Sequence, residues 1–157
     1  MIQDAINIAK EALVKPFEGY AYRLPNGDCQ SYPDPGTGGD PWTIGWGTTG
    51  PSIIKGLIWT QNRAEVAQQE HLIYFTTALL KLSPSLISVQ DRKLAALISF
   101  VYNCGLGNYR ISTLKKRVDS KDWNSAATEI LKWNKAAGRV MPGLTKRRMA
   151  EAMLLRD

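Results

Sequence analysis

KPFEGYAYRLPNGDCQSYPDPGTGGDPWTIGWGTTG, residues 15–50, places one carboxylate, Glu18, just past an amphipathic run and two more, Asp34 and Asp40, among glycines and prolines ahead of Trp42, Thr43 and Ile44. Paired carboxyls suit acid catalysis. Breaking a glycosidic bond needs one carboxylic acid to protonate the departing oxygen, and a second group to place water or to stabilise the positive charge growing on the sugar. Residue chemistry alone therefore gives a possible two-carboxylate glycosidase, with no metal and no cofactor required.

Working outward on the N-terminal side, Ile2, Ile6, Ala9 and Leu13 recur at helical spacing and predict an amphipathic helix over about residues 3–14. Pro16 argues against its continuation and leaves Glu18 at or just beyond the helix end. On the other side, residues 20–58 carry Gly, Pro, Asn and Asp punctuation around the short runs TIGW and SIIKGLIW, which predicts a small irregular β-region. Gly45 and Gly47 flank Trp46, where they either admit a close backbone approach to a ligand or mark a bulge.

KPFEG (residues 15–19), SYPD (31–34) and TIGWGTTG (43–50) resemble the phage-type lysozymes, or endolysins, of glycoside hydrolase family 24, whose pattern is Glu-Gly, then Tyr-x-Asp, then Thr-Ile-Gly-x-Gly. AALISFVYNCGLG (95–107) looks like that family's central buried helix, and GRVMPGLTKRRMAEAMLL (138–155) like its closing segment, so the resemblance spans nearly the whole chain. It implies an α+β, mainly α-helical, lysozyme-like fold in one catalytic domain of two lobes. A β-containing N-terminal lobe would span about residues 14–60, a connecting helix about 61–81, and a helical lobe about 82–157. It also implies a muramidase that cleaves the β-1,4 bond between N-acetylmuramic acid and N-acetylglucosamine in bacterial peptidoglycan. Carried over by motif, the catalytic set is Glu18 as general acid, Asp34 as stabiliser of the oxocarbenium-like state or water activator, and Thr43 as the hydroxyl that holds the water. Trp42 and Trp46, flanking Thr43, are candidates for substrate binding, and so are Tyr102 and Asn103 at the end of the central helix.

The stretch from Glu18 to Asp34 is longer than the compact family spacing, with AYRLPNGDCQ (21–30) inside it, and a few more residues separate Asp34 from Thr43. Asp34 holds the motif position. Asp40 precedes Pro41, a pairing common in turns whose carboxylate caps backbone N–H groups, and is the alternative second carboxylate.

The 157-residue chain has the length of one domain with a sizeable core, and its 44% hydrophobic and 22% charged residues describe a globular protein. Its net charge of +6 calls for an anionic partner without naming one, since nucleic acid, membrane surface and wall polymer share that sign. Cys29 and Cys104 form no CxxC arrangement and are expected as reduced thiols. The N-terminal sequence, with Asp4 and Glu11, lacks the apolar run of a signal peptide or membrane span. The expected location is the cytoplasm of the host bacterium until release to the periplasm and cell wall, and the resemblance implies a holin-type pore for that release.

Thr60 is a plausible N-cap for a helix over about residues 61–81, whose His71 is expected as a partly exposed residue outside any zinc motif. SPSL (83–86) signals a turn, and residues 92–103 read as a helix apolar nearly all round, ended by Gly105 and Gly107 through left-handed caps. Beyond Ser112 come short helices, one capped at Asp122 with Trp123 and Trp133 on its core side, and a last one starting near Thr145. Lys146, Arg147 and Arg148 read as a solvated basic face, which with Met149, Ala152, Met153 and Leu154 would let a cationic, amphipathic C-terminal helix touch an anionic envelope.

Two other function classes are disfavoured. A cysteine amidase would need Cys29 or Cys104 beside His71, and nothing in the sequence pairs them. A nucleic-acid binder would show a recognition motif, and none is present, so a monomeric wall hydrolase without nucleic acid is the expectation.

Overall fold

The computed structural model describes residues 1–35 and 37–156. Its elements in order are α1 (Ile2–Ile8), a π-helical turn (Ala9–Val14), α2 (Lys15–Glu18), β1 (Cys29–Gln30), β2 (Ile58–Trp59), α3 (Gln61–Leu82), a 3-10 turn (Pro84–Ser88), α4 (Asp91–Cys104), α5 (Leu106–Ile111), α6 (Thr113–Asp119), α7 (Trp123–Ile130), β3 (Lys135–Ala136), β4 (Arg139–Val140) and α8 (Pro142–Leu155). The fold is thus α+β and mainly helical. The chain forms two compact units: Met1–Phe17 with everything from Leu72 onward, and Glu18–His71.

The first unit is built on α4. Every residue from Lys93 to Val101 is buried, because α1, the π turn, α5 and α8 all pack on it. Each large apolar side chain there, such as Leu97, Ile98 or Phe100, contributes roughly 1.5–3 kcal/mol by leaving water. Gly105 ends α4 at φ 89°, ψ 155°, an extended conformation open essentially to glycine and not the expected left-handed cap. Gly107 does not cap anything; it lies within α5. The expected cap at Asp122 is present, its Oδ1 accepting from the Ser125 N–H at 3.3 Å, and Ser112 caps α6 in the same way, its Oγ accepting from the Lys115 N–H at 3.0 Å. Trp123 is buried and Trp133 packs against the same core, as their spacing predicts.

Expectations change at the end of the first helix and at the start of the last. The first helix does not stop at Pro16. The Lys15 N–H bonds to the Lys10 carbonyl, one residue farther back than in an α-helix, and this wide turn already interrupts the regular ladder where the proline ring would strike a carbonyl. The chain then stays helical to Glu18. The last helix starts at Pro142, preceded by the β3–β4 hairpin, in which Lys135 pairs with Val140 and Ala136 with Arg139. Ala137 and Gly138 both adopt positive φ in its two-residue loop, the geometry of a type I′ turn.

The basic face at the C-terminus is the largest correction. Lys146 is exposed, but Arg147 and Arg148 are buried. Arg148 Nη2 donates to Glu151 Oε1 at 2.9 Å while its Nε lies 2.7 Å from Oε2; Ser99 Oγ on α4 donates to Oε1 at 2.6 Å, and Arg147 Nη2 to the Ser99 carbonyl at 3.3 Å. Burial pushes the Glu151 carboxyl up from its ordinary range, and the two guanidiniums and the hydroxyl pull it back. The charges face inward as ion pairs with one another, Glu151 lying between the two guanidiniums. The outer side of α8 carries Met149 and Met153, exposed without a cationic border of Arg147 and Arg148.

Candidate active site

The second unit, Glu18–His71, holds its irregular backbone on few regular pairs. β1 and β2 run antiparallel, with Cys29 opposite Trp59 and Gln30 opposite Ile58. Ser31 ties the next residues down: its N–H donates to the Leu57 carbonyl at 2.9 Å and its hydroxyl to that of Ile54 at 2.7 Å. A small core of Cys29, Ile44, Ile53 and Ala64 lies beneath, with Trp42 and Trp46 packed half-buried against it. Thr60 caps α3 as expected, accepting from the Arg63 N–H at 3.1 Å. His71 is half-buried, and that burial holds its imidazole below the usual histidine range. Both cysteines are free thiols. Among the described residues no group of three or more His, Cys, Asp and Glu side chains is placed to hold a metal ion, and no helix is long and apolar enough to cross a membrane.

Two antiparallel bridges bring the motif residues into place. Tyr32 and Thr43 exchange both backbone hydrogen bonds at 2.9 Å, so their side chains leave the ladder on the same side. Ile44 and Thr48 do the same at 2.9 Å, and the turn between them contains Gly45, Trp46 and Gly47. Both glycines have positive φ, and both lack a side chain for a steric reason. A methyl group on Gly45 would lie 2.9 Å from Ala64 Cβ, and one on Gly47 would lie 3.0 Å from Glu18 Oε2. What lies close to Gly47 is the protein's own Glu18, and what lies close to Gly45 is Ala64.

Glu18, half-buried at the end of α2, therefore has its carboxylate against bare backbone. Tyr32 also feels it: burial raises the phenol above the usual tyrosine range, and the negative charge of Glu18 adds to the shift. Tyr32, the tyrosine of the Tyr-x-Asp motif but not among the expected site residues, is thus coupled electrostatically to the candidate acid. The Tyr-x-Asp motif contained that signal; the role of Gly47 was legible only as an unexplained glycine.

Asp34 is half-buried at the start of a closed loop. Its N–H donates to the Gly39 carbonyl at 2.9 Å, its carbonyl accepts from Gly38 at 2.8 Å, and its Oδ2 accepts from the Thr37 N–H at 3.1 Å. The turn-capping carboxylate expected at Asp40 is thus found at Asp34. Asp40 is exposed, and its backbone carbonyl, not its carboxylate, takes the Thr37 hydroxyl at 2.6 Å. The reason is the direction of the loop, which turns back toward Asp34. Trp46 rests on Tyr20, ring centroids 5.0 Å apart.

Tyr102 and Asn103 belong to the other unit. Tyr102 packs its ring on Phe75 at 5.6 Å, and Asn103 lines a cavity of about 420 Å³ with Cys104, Asn108, Trp133, Lys135, Ala136 and Leu144. Cys104 is only half-buried there, and its sulfur accepts from the buried Arg148 Nη1 at 2.7 Å.

Comparison with known proteins matches residues 17–151 to the phage lysozyme family. An endolysin of Bacillus phage B103 is 35% identical over 113 residues, 72% of this chain but 42% of that protein, so the chain spans less than half of that relative's length. An endolysin of Acyrthosiphon pisum secondary endosymbiont phage 1 is 34% identical over 146 residues, 90% of this chain and 91% of that protein. In structure, the endolysin from Escherichia coli O157:H7 phage FAHEc1 superposes with a TM-score of 0.74 at 25% identity, over 99% of this chain and 92% of that one. With the Glu-Gly, Tyr-x-Asp and Thr-Ile-Gly-x-Gly motifs folded around one carboxylate, and a family match over most of its length, the chain belongs to the phage lysozyme family.

Proposed function

We propose that the chain is a muramidase that hydrolyses the β-1,4 bond between N-acetylmuramic acid and N-acetylglucosamine in peptidoglycan and so lyses bacteria at the end of a phage cycle. The observation that carries this reading is the half-buried Glu18 carboxylate, held against the Gly47 backbone and beside Tyr32 within the motifs of the family. Glu18 protonates the departing glycosidic oxygen. Asp34, oriented by the Thr37 N–H, stabilises the oxocarbenium-like state or activates water, and the Thr43 hydroxyl holds that water. Trp42, Trp46, Tyr102 and Asn103 contact the glycan. The chain acts as one catalytic domain and as a monomer; it is made in the host cytoplasm and reaches the wall through a pore supplied by another protein.

Mass analysis of fragments from purified peptidoglycan tests the reaction. New reducing ends on muramic acid are expected, whereas free peptide stems would replace the muramidase reading by an amidase. Glu18→Gln keeps shape and removes the proton, so the folded variant should lose about 100- to 10,000-fold in rate. Near-normal clearance of cell-wall suspensions by that variant would remove Glu18 from the mechanism.

A further inference from the structure

The insertion between Glu18 and Asp34 builds a feature of its own. Its first turn is a tight loop: the Leu24 N–H donates to the Asp28 carbonyl at 2.7 Å, Arg23 bridges to Cys29, and the Gln30 N–H donates to the Tyr22 carbonyl at 3.1 Å. These bonds hold Tyr22 at φ 54°, a left-handed conformation that a large side chain adopts only against strain. The strain is spent on an exposed ring. Tyr22 is 63% exposed, yet it stacks on Tyr32 with centroids 4.8 Å apart and planes 14° from parallel. One face of Tyr22 covers Tyr32, the residue beside Glu18 and opposite Thr43, and the other is open to solvent.

We propose that Tyr22, mounted on Tyr32, is a sugar-binding platform that holds one N-acetylhexosamine ring of the glycan strand next to Glu18. The proposal rests on the muramidase reading and names a specificity residue for it. A pyranose ring presents a face of C–H groups, and its acetamido group a methyl, both slightly positive toward the electron-rich face of an aromatic ring. A neutral open ring suits that partner and gives nothing to the carboxylates of a peptide stem. A stack of two rings also loses less freedom on binding than one mobile side chain, because Tyr22 is already held.

The test compares the full chain with Tyr22→Phe, Tyr22→Gly and Tyr22→Asn. Steady-state cleavage is measured on soluble, uncross-linked glycan strands. Binding of N-acetylglucosamine oligomers is followed by saturation-transfer NMR in a Glu18→Gln background. Gly and Asn both accept positive φ, so these variants remove the ring without adding strain and should melt at or above the wild-type temperature. We expect KM to rise roughly three- to tenfold in both, the scale of a single aromatic contact, with kcat within about twofold and Tyr22→Phe close to wild type. Saturation transfer from the aromatic protons should fall with them. Unchanged KM and unchanged saturation transfer in a folded Tyr22→Gly or Tyr22→Asn overturn the platform while leaving the muramidase reading intact. A fall in kcat alone also overturns it, since it would make Tyr22 a support for Tyr32 and not a contact for sugar. If the wild type neither cleaves nor binds the strands, both readings fall together.

Discussion

Gly47 is the residue whose substitution separates packing from chemistry most cleanly. At φ 91° an alanine is strained, and its methyl would lie 3.0 Å from Glu18 Oε2. The carboxylate is then the atom that must move. A displacement of the reacting group by about 1 Å can cost on the order of a hundredfold in rate, so Gly47→Ala should lose activity on that scale while the folded protein keeps its far-ultraviolet circular dichroism. Full activity in the variant would show that the Glu18 position is not critical. Asp34 and Asp40 are a matched pair for the second carboxylate. Asp34→Asn retains an oxygen to accept from the Thr37 N–H, so the loop should survive while turnover falls strongly. Asp40→Asn changes an exposed side chain and should stay within about 0.5 kcal/mol of wild-type stability with most of its activity. Turnover lost at Asp40 and kept at Asp34 would move the working carboxylate.

At the scale of elements, α8 shows what charge in a sequence does and does not say about exposure. Arg147, Arg148, Glu151, Ala152 and Leu155 are all buried, one helical stripe in which three of the five members are charged. Removing the negative member leaves two buried guanidiniums facing a neutral amide, so Glu151→Gln should cost about 3–5 kcal/mol, measured by urea unfolding. Lys146→Glu, on the exposed side, should cost within about 0.5 kcal/mol. Comparable effects at both positions would mean that the network adds nothing. Deleting the chain from Thr145 onward accordingly destroys a core helix, and gives no information on envelope contact. The caps at Thr60 and Asp122 were legible because each acts within three residues of itself. The inward arginines were not, since their solvation depends on Ser99, remote in sequence, and on reading the stripe with its charges included. Pro16 misled for a related reason: the wide turn that accommodates it is set by the preceding residues and leaves no compositional mark. In the site, the motifs singled out Glu18, Asp34 and Thr43 as candidates, but the pairing of Tyr32 with Thr43 is visible only in the fold; Tyr22 lies in an insertion with no periodicity, and its ring acquires meaning only once it is seen stacked.

On the scale of the whole molecule, the two units carry very unequal cores. The helical unit buries α4 on every side together with Leu72, Leu79, Leu114, Trp123 and Ile130, whereas the Glu18–His71 unit rests on Cys29, Ile44, Ile53 and Ala64 with aromatic rings half-covering them. Two-residue strands and single bridges add little cooperativity to the smaller core. Free energy of opening follows buried apolar contact, so regions with small cores open locally at a fraction of the global stability. Native-state hydrogen exchange should therefore find the amides of residues 94–101 exchanging only through global unfolding, and those of Tyr32, Thr43, Ile44 and Thr48 through a smaller, local opening. Denaturant sharpens the distinction, because the α4 amides should show the full dependence on urea and the bridge amides a shallow one. Equal protection and equal slopes in the two sets would mean that the units unfold as one. If the local opening is present, the bridges that set Glu18 beside Gly47 and Tyr32 belong to the less stable part of the molecule, and a disulfide or a Gly→Ala change that stiffens it at a permissive position would raise stability at the risk of slowing turnover.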